Sequence, residues 1–132
     1  MSFNDASTAC RVHLSQMAEL PPVAYENMDY SPTLGQLFLS EKTLFTSSTG
    51  LLMDGALQRN DFIYQILVYA PKGVSVHTAQ KMADNVATRF ARGLRLTRNS
   101  VTVESHKVEV KPPFSSDSWF VIPVDVHCLF FA

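Results

Sequence analysis

The chain has 132 residues, 46% hydrophobic and 17% charged, and its 11 basic and 12 acidic side chains give a formal net charge of −1. That balance excludes an overall basic nucleic-acid-binding surface and a disordered acidic tail, and no stretch approaches the roughly 18 apolar residues of a membrane helix. One domain spanning 1–132 is expected, able to bury about two thirds of its unfolded surface without a disulfide or metal staple.

The opening MSFNDAST lacks the basic and apolar regions of a signal peptide. Phe3, Ala6, Cys10, Leu14 and Met17 recur at helical steps, which predicts an amphipathic helix from about Asn4 to Leu20, ended by Pro21-Pro22. Val23 to Asn27 reads as a short extended piece before the turn at Ser31-Pro32. A strand is predicted from Gly35 to Phe45, with Leu37 and Leu39 on one face and Phe38 and Leu44 on the other.

Residues 46–58, TSSTGLLMDGALQ, read as a long excursion between strands because small polar residues and Gly50 and Gly55 punctuate them. Connections of this length are usually functional or flexible. Leu51, Leu52 and Met53 either fold back on the core or form the apolar part of a partner-binding loop; the serine and glycine flanks favour the loop. From Asp61 to Ala70 the chain is apolar at both parities, the pattern of a central strand covered on both faces.

After the turn at Pro71-Lys72-Gly73, Val76, Ala79, Ala83, Val86 and Phe90 define the clearest helix, with Ser75 as N-cap and Gly93 as a left-handed C-terminal cap. Val101 and Val103 put apolar residues at odd positions, whereas Val108 and Val110 put them at even ones, so a bulge is predicted near Ser105–Lys107. The last strand alternates through Phe120, Ile122, Val124, Val126, Cys128 and Phe130, with Pro123 suggesting an edge position or an irregularity. The fold class is α+β: a mostly antiparallel sheet of four to five strands with two helices packed on one face.

Chemical motifs are scarce. Histidines 13, 77, 106 and 127 have no metal-ligand spacing, although His106 and His127 can meet across adjacent strands. No GxSxG elbow and no GxGxxG or GKS/GKT phosphate loop occurs, and the carboxylates are scattered singly. Cys10 and Cys128 form no CxxC pair and read as reduced, buried thiols of a cytoplasmic protein. Neither an enzyme nor a bound cofactor is expected.

The charge is unevenly distributed. Residues 1–66 carry three basic and seven acidic side chains, a net −4, and residues 67–132 carry eight and five, a net +3. Arg89, Arg92, Arg95 and Arg98 stand in a stretch, 85–103, that holds no acid. They are a solvated helix end helped by the helix dipole, a subunit interface, or contacts to a phosphate backbone, the last without any recognition helix or stacking platform.

Three segments together resemble a known family. AYENMDYSPTLGQ (24–36) is similar to a W/Y-E-N…P segment. The stretch FIYQILVYAPKGVSVHTAQKMADNVATRFARGLRL (62–96) resembles a strand with a Pro-x-Gly turn and an alanine-rich helix that ends in Phe-x-x-Gly. SVTVESHKVEVKPPFSSDSWFVIPVDVHC (100–128) resembles the closing strand pair with its Trp/Tyr-to-Pro-Val pattern. The family is that of the tail terminators, or tail-completion proteins, of long-tailed phages; TLGQ before a long insert departs from its usual meander.

The resemblance implies a hexameric ring in the virion, assembled in the host cytoplasm at the head-proximal end of the tail. Such a ring caps the tail tube, stops its polymerisation and joins a head-completion or connector protein, with DNA only passing through the channel and no membrane involved. A ring closes through one heterologous interface repeated. Candidate patches are Glu26 and Asp29 against Arg89, Arg92, Arg95 and Arg98; Leu51, Leu52, Met53 and Asp54 are the candidate contact to tube or neck. Competing readings are a head-tail connector ring of the same virion and a small non-catalytic ligand-binding domain.

Overall fold

Residues 58–71, the segment apolar at both parities, run through the middle of a seven-stranded curled sheet. The computed structural model describes residues 2–33, 35–50, 58–73 and 76–131. In chain order these form α1 (Ser2–Ser15), β1 (Val23–Ala24), β2 (Phe38–Gly50), β3 (Gln58–Pro71), α2 (Val76–Arg89), β4 (Arg95–Arg98), β5 (Val101–Val110), β6 (Phe114–Ser116) and β7 (Trp119–Phe131). The sheet order is β1-β2-β3-β7-β5-β4, with β6 on β7, and every pairing is antiparallel except β1 on β2. The α+β class with two helices is as expected, but four to five strands understate the sheet. β1 falls within the short extended piece expected from Val23, whereas the short β6 and the polar β4 (Arg-Leu-Thr-Arg) carry no hydrophobic alternation that reveals them.

The core lies on one face of the sheet. Even-numbered β3 residues, Phe62, Tyr64, Ile66, Val68 and Ala70, are buried there with Ala6, Cys10 and Leu14 of α1 and Ala79, Ala83 and Val86 of α2. The odd residues of β3 are only half-buried, so the strand is central but not covered on both faces as the composition suggested. Alanines at 79 and 83 let α2 lie close to the sheet, whereas Val76, first in the apolar stripe, is 49% exposed. Ser75 lies outside the described residues.

Helix α1 stops at Ser15, well before Pro21-Pro22. The Gln16 and Met17 N–H groups donate to the carbonyls of His13 and Leu14, and Glu19 adopts φ 57°, so the chain turns before the prolines are reached. The predicted bulge in β5 is present, between Ser105 and Lys107. Its cause is a clamp: the Ser105 Oγ donates to the Phe90 carbonyl at 3.1 Å, and its carbonyl accepts the Gly93 N–H at 2.7 Å. Gly93 reaches that geometry with φ 89°, a left-handed conformation open to glycine at little cost.

Pro123 sits inside the central strand β7, not at an edge. Its carbonyl accepts the Lys111 N–H at 2.9 Å, so its backbone groups face the β5–β6 side, where Pro112-Pro113 already break the chain. No ladder bond to β3 is lost.

Residues 46–58 are less loop than the glycines and serines suggest. β2 continues to Gly50 and β3 begins at Gln58, paired from Ser47↔Asp61 to Gly50↔Gln58 after an irregularity between Phe45 and Ser47. This stretch of β2 is exposed. It forms an extension of the β2–β3 pair in which Arg59–Asp61 also pair with β7; residues 51–57 lie outside the described residues.

Candidate assembly surface

The acidic segment after β1 is fastened to the outer edge of β2. The Glu26 N–H donates to Glu41 Oε1 at 3.0 Å, and Glu26 Oε1 accepts the Thr43 N–H at 3.0 Å. The Glu41 side chain is fully buried and its Oε1 also receives Arg11 Nε of α1 at 2.8 Å. One carboxylate thus joins helix, strand and loop, and a buried charge held this way is costly to leave unpaired. Asp29 is exposed farther along the same segment.

The arginines divide. Arg89 Nε donates to the His13 carbonyl at 3.0 Å, which places this side chain inside the fold. Arg92 is exposed in the turn after α2, and Arg95 and Arg98 lie on β4, the opposite edge strand of the sheet. The Arg95 side chain is 71% exposed and meets Glu104 at 3.5 Å, a surface pair worth at most about 1 kcal/mol and readily exchanged for a partner's carboxylate. Glu26 and Asp29 therefore stand by one end of the strand order, and Arg92, Arg95 and Arg98 by the other.

An aromatic cup beside Glu26 has no counterpart in the sequence pattern. Phe38 stacks on Tyr69 with centroids 4.6 Å apart, meets Trp119 edge-on at 5.0 Å, and touches Tyr30 at 5.1 Å. These rings come from four separate segments, and only the register Phe38↔Tyr69 with Pro71↔Trp119 brings them together. They border a cavity of about 530 Å³ lined also by Tyr25, Met28, Glu26, Lys42 and Asp117.

Elsewhere the titratable groups are structural. Glu109 accepts Lys107 Nζ and Lys111 Nζ, each at 3.2 Å, and His127 Nε2 at 2.8 Å. The lysine hydrogen bonds bring its carboxyl down to about 2. His106 and His127 do meet across the strands, with ring centroids 6.2 Å apart. Cys10 and Cys128 are free and buried, and the Cys10 thiol is pushed up by its hydrogen bond with Cys128 and by burial, the opposite of an activated nucleophile. Among the described residues no group of three or more His, Cys, Asp or Glu side chains converges as a metal site would require. The candidate contact residues Leu51, Leu52, Met53 and Asp54 lie outside the described residues.

A family model described as phage tail terminator protein matches residues 6–127. No curated protein matches the chain. One solved structure superposes with a TM-score of 0.73 over 94% of each chain at 15% identity, a likeness of fold alone. No helix among the described residues is long and apolar enough to cross a membrane.

Proposed function

Because the chain belongs to the phage tail terminator family, and is thus a structural, virion-associated protein that works with other tail or virion proteins, we propose that it closes into a hexameric ring on the finished tail tube. The chain acts as one domain, 1–132. The ring stops tube polymerisation at the head-proximal end and offers the surface that joins a head-completion or connector protein. DNA passes through the channel without being read, and no cofactor takes part.

One observation carries this reading beyond the family: the Glu26–Asp29 segment and the exposed Arg92, Arg95 and Arg98 occupy opposite edges of one sheet. A subunit with two separate, complementary patches can meet its neighbours head to tail, and a repeated heterologous contact closes into a ring when its rotation permits. Such a contact is partly ionic and weakens with salt. The β2–β3 extension is the contact to tube or neck.

Sedimentation of the purified protein across a salt series, with electron microscopy of the assembled fraction, tests the ring. A six-fold ring that dissociates as salt rises supports it; a monomer or compact dimer at every salt concentration overturns it. Tails assembled without the protein are expected to have tubes of unregulated length. Labelling the protein in the virion separates the tail end from a connector position.

A further inference from the structure

We propose that the aromatic cup at the Phe38–Tyr69–Trp119 cluster is a socket for an arginine from the β4 edge of a neighbouring copy. The inference rests on the head-to-tail ring and names the contact within it. The cup has the shape and chemistry that a guanidinium selects. Tyr25, Tyr30, Tyr69 and Trp119 are half-buried and line the cavity. Phe38 is nearly buried, stacked on Tyr69 at an interplanar angle of 6° and edge-on to Trp119, which fixes the wall without demanding movement on binding.

Charge points the same way. Glu26, Glu41, Asp117 and Lys42 line the cavity, and Glu41 is already neutralised by Arg11. Glu26 and Asp117 then outweigh Lys42, and Asp29 stands in the same acidic segment. A flat cation that stacks on rings and bonds carboxylates in plane satisfies both features, and arginine does this where lysine does not. This chain supplies such a group on the far edge of its own sheet: Arg95, held only by a long surface pair with Glu104, and Arg98, exposed at the hairpin end. Each copy therefore presents one socket and one plug, on separate elements at the two ends of the strand order. Aromatic and arginine pairs of this kind dominate interface energetics.

Two variants of the full chain test the contact. The plug variant carries Arg95→Ser and Arg98→Ser; the socket variant carries Tyr30→Ser and Asp117→Asn. Both changes to the socket suit their backbone, since Tyr30 lies outside any strand and Asp117 has φ 50°, which asparagine adopts. Unchanged thermal melting establishes that each is folded. Each variant alone is expected to self-associate roughly 10- to 100-fold more weakly than the parent, the scale of interface hot spots. Mixed together, they are expected to form one-to-one heterodimers and no larger ring, because each pair has one intact contact and one broken one.

Arg95→Lys with Arg98→Lys keeps the charge and removes the planar group, so it is expected to assemble about tenfold more weakly than the parent. Full assembly by that variant, or by the socket variant, overturns the socket while leaving the ring intact. A parent protein that never assembles overturns both.

Discussion

His13 and Arg89 hold each other's backbone: His13 Nε2 bonds the Arg89 carbonyl at 2.9 Å, and Arg89 Nε donates to the His13 carbonyl at 3.0 Å. A carbonyl only accepts, so the imidazole carries its proton on Nε2. The ring also meets Phe90 edge-on at 5.1 Å. This reciprocal clasp joins the last turn of α1 to the last turn of α2, and each arm satisfies a helix-end carbonyl that has no partner within its own helix. Four arginines with regular spacing thus split into one that closes the fold and three that face outward.

Removing the clasp is expected to cost stability and leave assembly alone. Arg89→Ala should lower unfolding free energy by about 1.5–3 kcal/mol, the scale of a hydrogen bond involving a charged group. Its self-association per folded molecule should keep the parent's salt dependence, whereas Arg95→Ser with Arg98→Ser should show the reverse pattern. Burial lowers the His13 value, chiefly through desolvation, so the unfolded chain takes up its proton first as pH falls. The stability tied to the neutral ring is therefore present above the ordinary value of 6.5 and lost below it, and His13→Gln should flatten the pH profile there. Denaturant titrations at several pH values read both effects.

Glu41 ties the acidic segment to the sheet, and Glu41→Ala is expected to cost about 3 kcal/mol, the lower range for breaking a buried ion pair. The substitution also frees the Glu26 N–H, so the 25–33 segment should exchange its amide protons faster than β3 does. Hydrogen exchange by mass spectrometry measures this. Equal protection in parent and variant would show that Glu41 does not anchor the segment. Tyr64 offers a contrast: its hydroxyl is buried near that carboxylate yet in hydrogen-bond geometry with no described partner, so Tyr64→Phe should cost less than about 1 kcal/mol.

Glu109 gives an acid-pH signature. Its two lysine partners bring the carboxyl from 4.5 to about 2, so the unfolded state binds the proton first. The stabilisation is fully present above 4.5 and disappears as pH falls through about 2. Thermal melts between those limits should fall less steeply for Glu109→Gln than for the parent. Parallel curves would mean that the lysines do not hold the group in solution.

The end of the β2–β3 extension is expected to serve joining and not folding. Gly50 and Gln58 pair directly, so residues 51–57 can be replaced by Asn-Gly, the two-residue turn that suits an antiparallel ribbon. The shortened protein should melt within a few degrees of the parent and still assemble, yet fail to complete tails in an extract that lacks the terminator. Normal infectivity of phage carrying the replacement would sink the assignment.

How much of this the sequence made legible follows from the range over which each signal acts. The 3-4-3-4 spacing of Val76, Ala79, Ala83, Val86 and Phe90 and the parity change between Val103 and Val108 are local, and both the helix and the bulge appeared where expected. The continuation of β2 through Thr-Ser-Ser-Thr-Gly was hidden, because those residues favour turns and only the pairing with β3 holds them extended. Pro123 misled for a related reason: its place in a sheet depends on which neighbour its missing N–H would have faced. The arginine stretch and the acidic segment were visible as composition, but their placement on opposite edges needed the strand order. Nothing local could have gathered Tyr30, Phe38, Tyr69 and Trp119, whose meeting depends on two registers at once.

The carboxylate of Glu26 on the Thr43 N–H has a consequence for the life of the free subunit. Beyond Ser40 the outer rim of β2 has no strand beside it among the described residues, and an open rim of that kind templates the addition of further chains. By occupying a donor there, and by setting a carboxylate over it, Glu26 makes that point of the rim a poorer template for a strand that would add through its main chain. Growth by backbone pairing has no natural end, whereas docking through shaped side chains can count its partners.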